Sequence, residues 1–316
     1  MTMRMKTILS NNRLTPCLVV LLAVFLSGCE KPGRSPSDTR PVFAACIEPH
    51  AFLLEKIGGD RIRVEVLVPA NQDPHQYEAS PNKVAMLSKA KVLFCTGMPF
   101  EEILVPKLKS VSADLKIVDL RVGIVLRKLE LHSHDGGDAS TGHAHRADCS
   151  HDGLDPHIWF APTILKKQAE TVLNTLLEFD MESADYYRGN YERLLEEIET
   201  TRQEIAGKLA PFHGRSIFVF HPSYGYFCDE FGLRQKAIEF EGKSPKPQQL
   251  NKLIIETKKE ERPPTIFVQP EFNRAPADAI AEATGGKIIV HSALEHGVLK
   301  CMRRFTDEFV AAETAE

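Results

Sequence analysis

The chain has 316 residues, 43% of them hydrophobic and 26% charged, with a formal net charge of −4. That length and apolar content suit a globular protein of two medium domains. The acidic balance argues against nucleic acid as a partner.

Residues 1–28 carry Arg4, Lys6 and Arg13 and no acid, and they hold an apolar stretch from Cys17 to Leu26 followed by Ser27, Gly28 and Cys29. The apolar stretch falls well short of the roughly 20 residues a membrane span requires, and small residues before Cys29 suit a signal peptidase. The segment therefore reads as an export signal. Its loss removes three positive charges and takes the net from −4 to −7. The Leu-Ser-Gly-Cys string resembles a bacterial lipobox, which implies a lipid anchor on Cys29. Residues 29–40 are rich in Pro, Ser and charge and suit a flexible tether. Five cysteines follow Cys29, namely Cys46, Cys95, Cys149, Cys228 and Cys301. An odd number leaves the pairing open. Cys46 and Cys95 each close an expected strand, and a buried free thiol is expected for either.

Short β-branched runs alternate with amphipathic helices from residue 41 onward. In the first half the runs are 42–46, 64–68, 92–95 and 116–120. A helix over 51–57 should stop at Gly58-Gly59, and Ser80-Pro81 supplies a cap and first-turn proline for a helix over 82–90. The second half repeats the plan with strands at 217–220, 237–240, 265–269 and 287–290. Two similar α/β lobes follow, one over 41–182 and one over 211–316. Between them, Tyr187, Tyr191, Leu194, Leu195, Ile198, Ile205 and Leu209 recur at three- and four-residue spacing. They predict one long linking helix within 183–210, about 40 Å in length. A break near Thr200-Thr201 is the alternative.

Residues 132–152 place His132, His134, His143, His145 and His151 among four aspartates and Cys149, with almost nothing apolar. Such a segment cannot form a core, so it is expected to be a surface loop, and imidazoles in that number point to metal capture. Asp-Pro-His triplets stand on both sides of it, at 73–75 and 155–157.

Three histidines lie just beyond strand ends, where open α/β sheets bind ligands. These are His75, His157 and His221, each beside a proline that limits backbone freedom. A lone strand-end histidine is more often structural than a ligand, but three beside a His-rich loop favour a metal. His291, at the end of 287–290, is a fourth candidate. Four neutral imidazoles suit Zn²⁺ and disfavour Mn²⁺ or Mg²⁺. His50, His213 and His296 are expected outside the site. Trp159, Phe160, Tyr224, Tyr226 and Phe227 are expected to wall the cleft, with ordinary core packing as the alternative.

The strings IGGDRIRVEVLVPANQDPHQYEASP, LDPHIWFAP, FHPSYGYFCDEFGL and FVQPEFNRAPADAIAEATGGKIIV resemble the metal-specific solute-binding proteins of bacterial ABC importers, in particular their zinc branch. The resemblance runs from about residue 41 to the C-terminus. It implies two Rossmann-like lobes with parallel sheets, joined by one long helix, with the metal in the cleft between them. It places the first three ligands on His75, His157 and His221 and makes the His-rich insertion an auxiliary collector. Relatives often carry an aspartate near position 291, so His291 or a water could complete the site. The implied function is Zn²⁺ capture by an exported, membrane-anchored lipoprotein facing the periplasm or cell exterior. Delivery would go to a membrane permease powered by its ATPase, with no catalysis, and a monomer is expected. Two other functions remain open, a zinc hydrolase or hydratase with a three-histidine site, and a surface adhesin. The absence of an HExxH string weighs against the enzyme.

Overall fold

The computed structural model describes residues 39–70, 72–129, 153–240 and 242–315. Cys29 and the five histidines of residues 132–152 lie outside the described residues.

The first half contains β1 (Val42–Ala45), α1 (Glu48–Gly58), β2 (Arg63–Val66), α2 (Pro81–Leu87), β3 (Val92–Cys95), α3 (Pro99–Val111) and β4 (Lys116–Asp119). Two helices, α4 (Pro162–Phe179) and α5 (Ala184–Leu209), lead into the second half. There follow β5 (Ser216–Val219), α6 (Gly225–Phe231), β6 (Arg234–Ala237), α7 (Pro247–Thr257), β7 (Thr265–Val268), α8 (Ala275–Thr284), β8 (Lys287–Val290) and α9 (Val298–Thr314). All strand pairs are parallel, in two four-stranded sheets of order β2-β1-β3-β4 and β6-β5-β7-β8. The protein is a two-lobed α/β fold with α5 between the lobes. Strands β3, β5 and β7 are buried at every residue, as expected where helices cover both faces of a parallel sheet.

Local chemistry fixes the element ends. Gly59 closes α1 at φ 52°, a conformation that favours glycine, and its amide donates to the Glu55 carbonyl. Ser80 caps α2 by accepting from the Lys83 amide. Helix α5 is continuous over 26 residues. The break considered at Thr200-Thr201 is absent, and the Thr201 hydroxyl donates back to the Glu197 carbonyl, which satisfies this polar side chain where it is buried in the helix face.

Two differences from the sequence reading matter. The strand expected at 237–240 lies three residues earlier, with Ser216 opposite Arg234 and Val219 opposite Ala237. Ile238 and Glu239 have already left it, donating their amides to the Val219 and Phe220 carbonyls at the sheet's carboxyl end. That shift carries the Glu239 side chain to the site. The lobes also share more than the linking helix: α9 returns along α5, and one continuous apolar core draws on both halves. Residues 40–316 accordingly cluster as one compact unit.

Candidate metal centre

Each sheet changes direction of winding next to its first strand, between β1 and β3 and between β5 and β7. Ligand clefts form outside the carboxyl ends of strands at such points. The three expected histidines meet there. His75 sits in a 3₁₀ turn over 74–76 after β2, His157 in the loop before α4, and His221 two residues beyond β5. Nε2 of His157 lies 3.1 Å from Nε2 of His75 and 2.9 Å from Nε2 of His221. His157 and His221 are buried, and His75 is half-buried.

The two Asp-Pro-His triplets make the same turn. Asp73 accepts the His75 amide at 2.8 Å, and Asp155 accepts the His157 amide at 2.9 Å. Asp155 Oδ1 also accepts from Nδ1 of the His157 ring at 2.7 Å. Glu239 Oε1 does the same for Nδ1 of His221 at 2.9 Å. Both carboxylates are buried. By holding the Nδ1 protons they fix the tautomer and leave the Nε2 lone pairs facing one another, the arrangement found where a second carboxylate shell orients metal-binding histidines.

Electrostatics supports neutral rings on the open side. Burial, then the neighbouring His221 and His157, pushes His75 well below the usual imidazole range. Burial also lowers His157, against the opposing pull of Asp155. His221 is likewise disfavoured as a cation by burial, but Glu239 outweighs that and leaves it raised.

The cavity beside the rings measures about 20 Å³ and is walled by Met98, Trp159 and Phe272, with Asp73, Ser223, Gln269 and Glu271 as its polar lining. That is room for one ion or water at the rings. Three imidazole nitrogens on a Zn²⁺ at ~2.0–2.1 Å would stand about 3.3 Å apart, a few tenths wider than the present spacing. The donor set therefore fits a small divalent ion of the zinc type.

His291 is not brought to this cluster. Its ring turns into the core against Phe160, Phe267 and Phe305, with Nδ1 3.1 Å from the Tyr224 hydroxyl and Nε2 3.3 Å from the Cys301 carbonyl. Burial lowers it to about 4. A buried imidazole with both nitrogens engaged offers no lone pair to the cavity. Of the four histidines considered, the structure brings together His75, His157 and His221 and leaves His291 apart from them.

Among the expected wall residues, Trp159 lines the cavity and donates to the Ala293 carbonyl at 2.9 Å, tying the two halves together. Phe160, Tyr224 and Phe227 pack in the core beside it, and Tyr226 instead donates to the Asp155 carbonyl at 2.7 Å. His50, expected outside the site, is buried behind Trp159 with ring centroids 6.1 Å apart, and burial lowers it to about 3.

Three contributors were missed by the sequence reading. Asp155 stands two residues before His157 in a triplet that was noticed only for its histidine. Glu239 was placed inside a strand. Glu271 lies three residues beyond β7, where the strand-end argument applied to His221 would have found it. It lines the cavity, and its Oε2 is buried without a hydrogen-bond partner among the described residues. Burial raises its pKa.

Comparison with known proteins agrees with this geometry. The profile of the zinc-uptake complex component A periplasmic family, ZnuA, matches residues 44–312. The high-affinity zinc uptake system protein ZnuA of Yersinia pestis is 27% identical over 253 residues, covering 75% of this chain and 78% of its own. The manganese-binding lipoprotein MntA of Halalkalibacterium halodurans is 25% identical, covering 85% and 84%. A crystal structure of ZnuA superposes with a TM-score of 0.77 at 33% identity, covering 87% of this chain and all of that one. With its two parallel-sheet lobes and a histidine cluster at their strand ends, the chain belongs to the ZnuA family of solute-binding proteins of metal ABC importers.

Proposed function

We propose that this protein captures Zn²⁺ outside the cytoplasm on His75, His157 and His221 and delivers it to an ABC permease. The observation that carries the reading is the triad of facing Nε2 atoms, two of them fixed as lone-pair donors by Asp155 and Glu239. Lone pairs held that close repel one another unless a cation lies between them. Three imidazoles favour Zn²⁺ over the oxygen-preferring Mn²⁺. Glu271 or a water completes the shell.

The protein is a receptor rather than an enzyme in this reading, in keeping with the solute-binding family whose profile it matches. Cys29 carries the lipid anchor, the histidines of residues 132–152 collect zinc for the main site, and the chain acts as a monomer. The functional division is a lobe over 41–182, a linking helix over 183–210 and a lobe over 211–316.

Titration of metal-free protein with Zn²⁺ and Mn²⁺ tests the assignment. One tight Zn²⁺ site, lost in His157→Ala, is expected, together with poor growth of the deletion strain when zinc is chelated. Preferential retention of Mn²⁺, or unchanged zinc binding in a His157→Ala/His221→Ala protein, would overturn it.

A further inference from the structure

The winding of the first sheet reverses between β1 and β3, and the carboxyl ends of those two strands carry a second set of metal-ligating side chains. The parallel register that sets Ala45 beside Phe94 continues one residue further, placing Cys46 beside Cys95 with the Cys46 amide donating to the Phe94 carbonyl at 3.2 Å. Their sulfurs are 4.0 Å apart. Glu101, from the first turn of α3, completes the group, and one ligand atom from each of the three lies within 4.8 Å of the others. All three residues are buried.

Glu101 is held in place before any ion arrives. Its carboxylate accepts the Thr96 amide at 3.1 Å and the Gly97 amide at 2.7 Å. Gly97 sits at φ 83°, and a Cβ there would meet the Arg121 guanidinium at 2.1 Å, so the glycine lets that cation lie close over the cluster.

From this geometry we propose that Cys46, Cys95 and Glu101 form a closed binding site for a thiophilic d¹⁰ cation, separate from the histidine cleft. Three arguments support it. Two thiolates on one ion with bonds of about 2.3 Å, spread at the trigonal angle, stand about 4.0 Å apart, so the sulfurs need little movement. The cluster lies at the switch point of its sheet, the counterpart of the position His221 occupies in the other lobe. Its complete burial is the character of a structural site, from which an ion is not handed on.

Binding replaces two thiol protons with one divalent ion, leaving one net negative charge beside Arg121, whose guanidinium is also paired with Asp119 at 2.8 Å. Burial raises the Cys46 thiol, and at Cys95 the hydrogen bond from Cys46 lowers the thiol while burial and neighbouring carboxylates leave it raised, so the ion must displace held protons. That requirement selects cations with strong bonds to sulfur, and it couples loading to folding, when the strand ends are still open.

The test uses full-length protein carrying His157→Ala, so that loss of the cleft site cannot be confused with loss of this one. Protein folded in the presence of Cd²⁺ and then treated with a chelator is expected to retain one Cd²⁺ per chain and a sulfur-to-cadmium charge-transfer band. Cys46→Ser and Cys95→Ser should each abolish both, while Cys149→Ser and Cys228→Ser leave them unchanged. Urea unfolding of each variant establishes that it is folded. Retention of the band in Cys46→Ser, no chelator-resistant Cd²⁺ in the parent, or a Cys46–Cys95 disulfide in the protein as isolated would each overturn the proposal.

Discussion

Oδ1 of Asp155 lies 2.7 Å from Nδ1 of His157 and also accepts the His157 amide, so one carboxylate oxygen fixes both the backbone and the ring of a histidine two residues away. Its other oxygen faces Arg127 at 3.5 Å, and Arg127 reaches Asp229 of α6 at 3.0 Å. The ring orientation of His157 is thereby linked to the packing of the second lobe. Glu239 performs the ring-holding part of this role for His221 from a different element.

Asp155→Asn and Glu239→Gln are each expected to lower zinc affinity by about 10- to 100-fold, the usual cost of losing a supporting partner, without removing a ligand. Isothermal titration in competition with a chelator measures this. Unchanged affinity in both variants would show that the carboxylates serve folding alone.

Glu271 and His291 should behave in opposite ways. Glu271 faces the cavity with an unpartnered oxygen, so Glu271→Gln removes a nearby negative charge and should weaken zinc binding by about tenfold. His291→Gln should leave zinc affinity unchanged, because the ring is engaged with Tyr224 and Cys301. The acid limit of zinc release should then approach three protons per ion rather than four.

The three clustered histidines were legible because each reads as lying beyond a strand end beside a proline, although His157 follows no strand directly and stands in the loop before α4. The same reasoning nominated His291, which also ends a strand, but strand-end position does not say which way a ring turns. Strand β8 is the edge of its sheet, one strand removed from the switch point, and Phe160, Phe267 and Phe305 form an aromatic pocket that takes the ring inward. The displacement of β6 has another cause. Its residues Arg-Gln-Lys-Ala include no β-branched or aromatic residue, whereas Ile238 and Phe240 nearby supply one of each, so the apolar pattern pointed three residues too late. Helix α5 was legible to its ends because its apolar stripe is long and unbroken.

The segment 132–152 is expected to add capacity rather than affinity, since its composition offers almost no apolar side chain against which an imidazole could be fixed before binding. Deleting it should lower the zinc stoichiometry and slow growth in scarce zinc while one tight site persists. Metal content after dialysis and a chelator competition read both quantities. Loss of the tight site in the deletion would show that this segment supplies a ligand.

Acid should destabilise the metal-free protein partly through its buried neutral histidines. His291 is lowered to about 4 and His50 to about 3, both by burial. In the unfolded chain each takes a proton near the ordinary value of about 6.5, so below that pH the unfolded state binds more protons than the folded one. Stability contributed by the neutral ring is therefore fully present above about 6.5 and is lost as pH falls toward the folded value, at about 1.4 kcal/mol per pH unit for each ring. Buried carboxyl groups such as Glu101, raised by burial, act in the opposite sense and make the total slope a poor measure of any one group. The comparison that isolates His291 is urea unfolding of metal-free wild type and His291→Gln between pH 6.5 and 4. The wild type should lose stability more steeply, by about 1.4 kcal/mol per unit, and the two curves should run parallel below about 4. Parallel curves across the whole range would mean that the folded protein protonates His291 as readily as the unfolded chain does, which its burial against Phe305 and its bond to Cys301 do not allow.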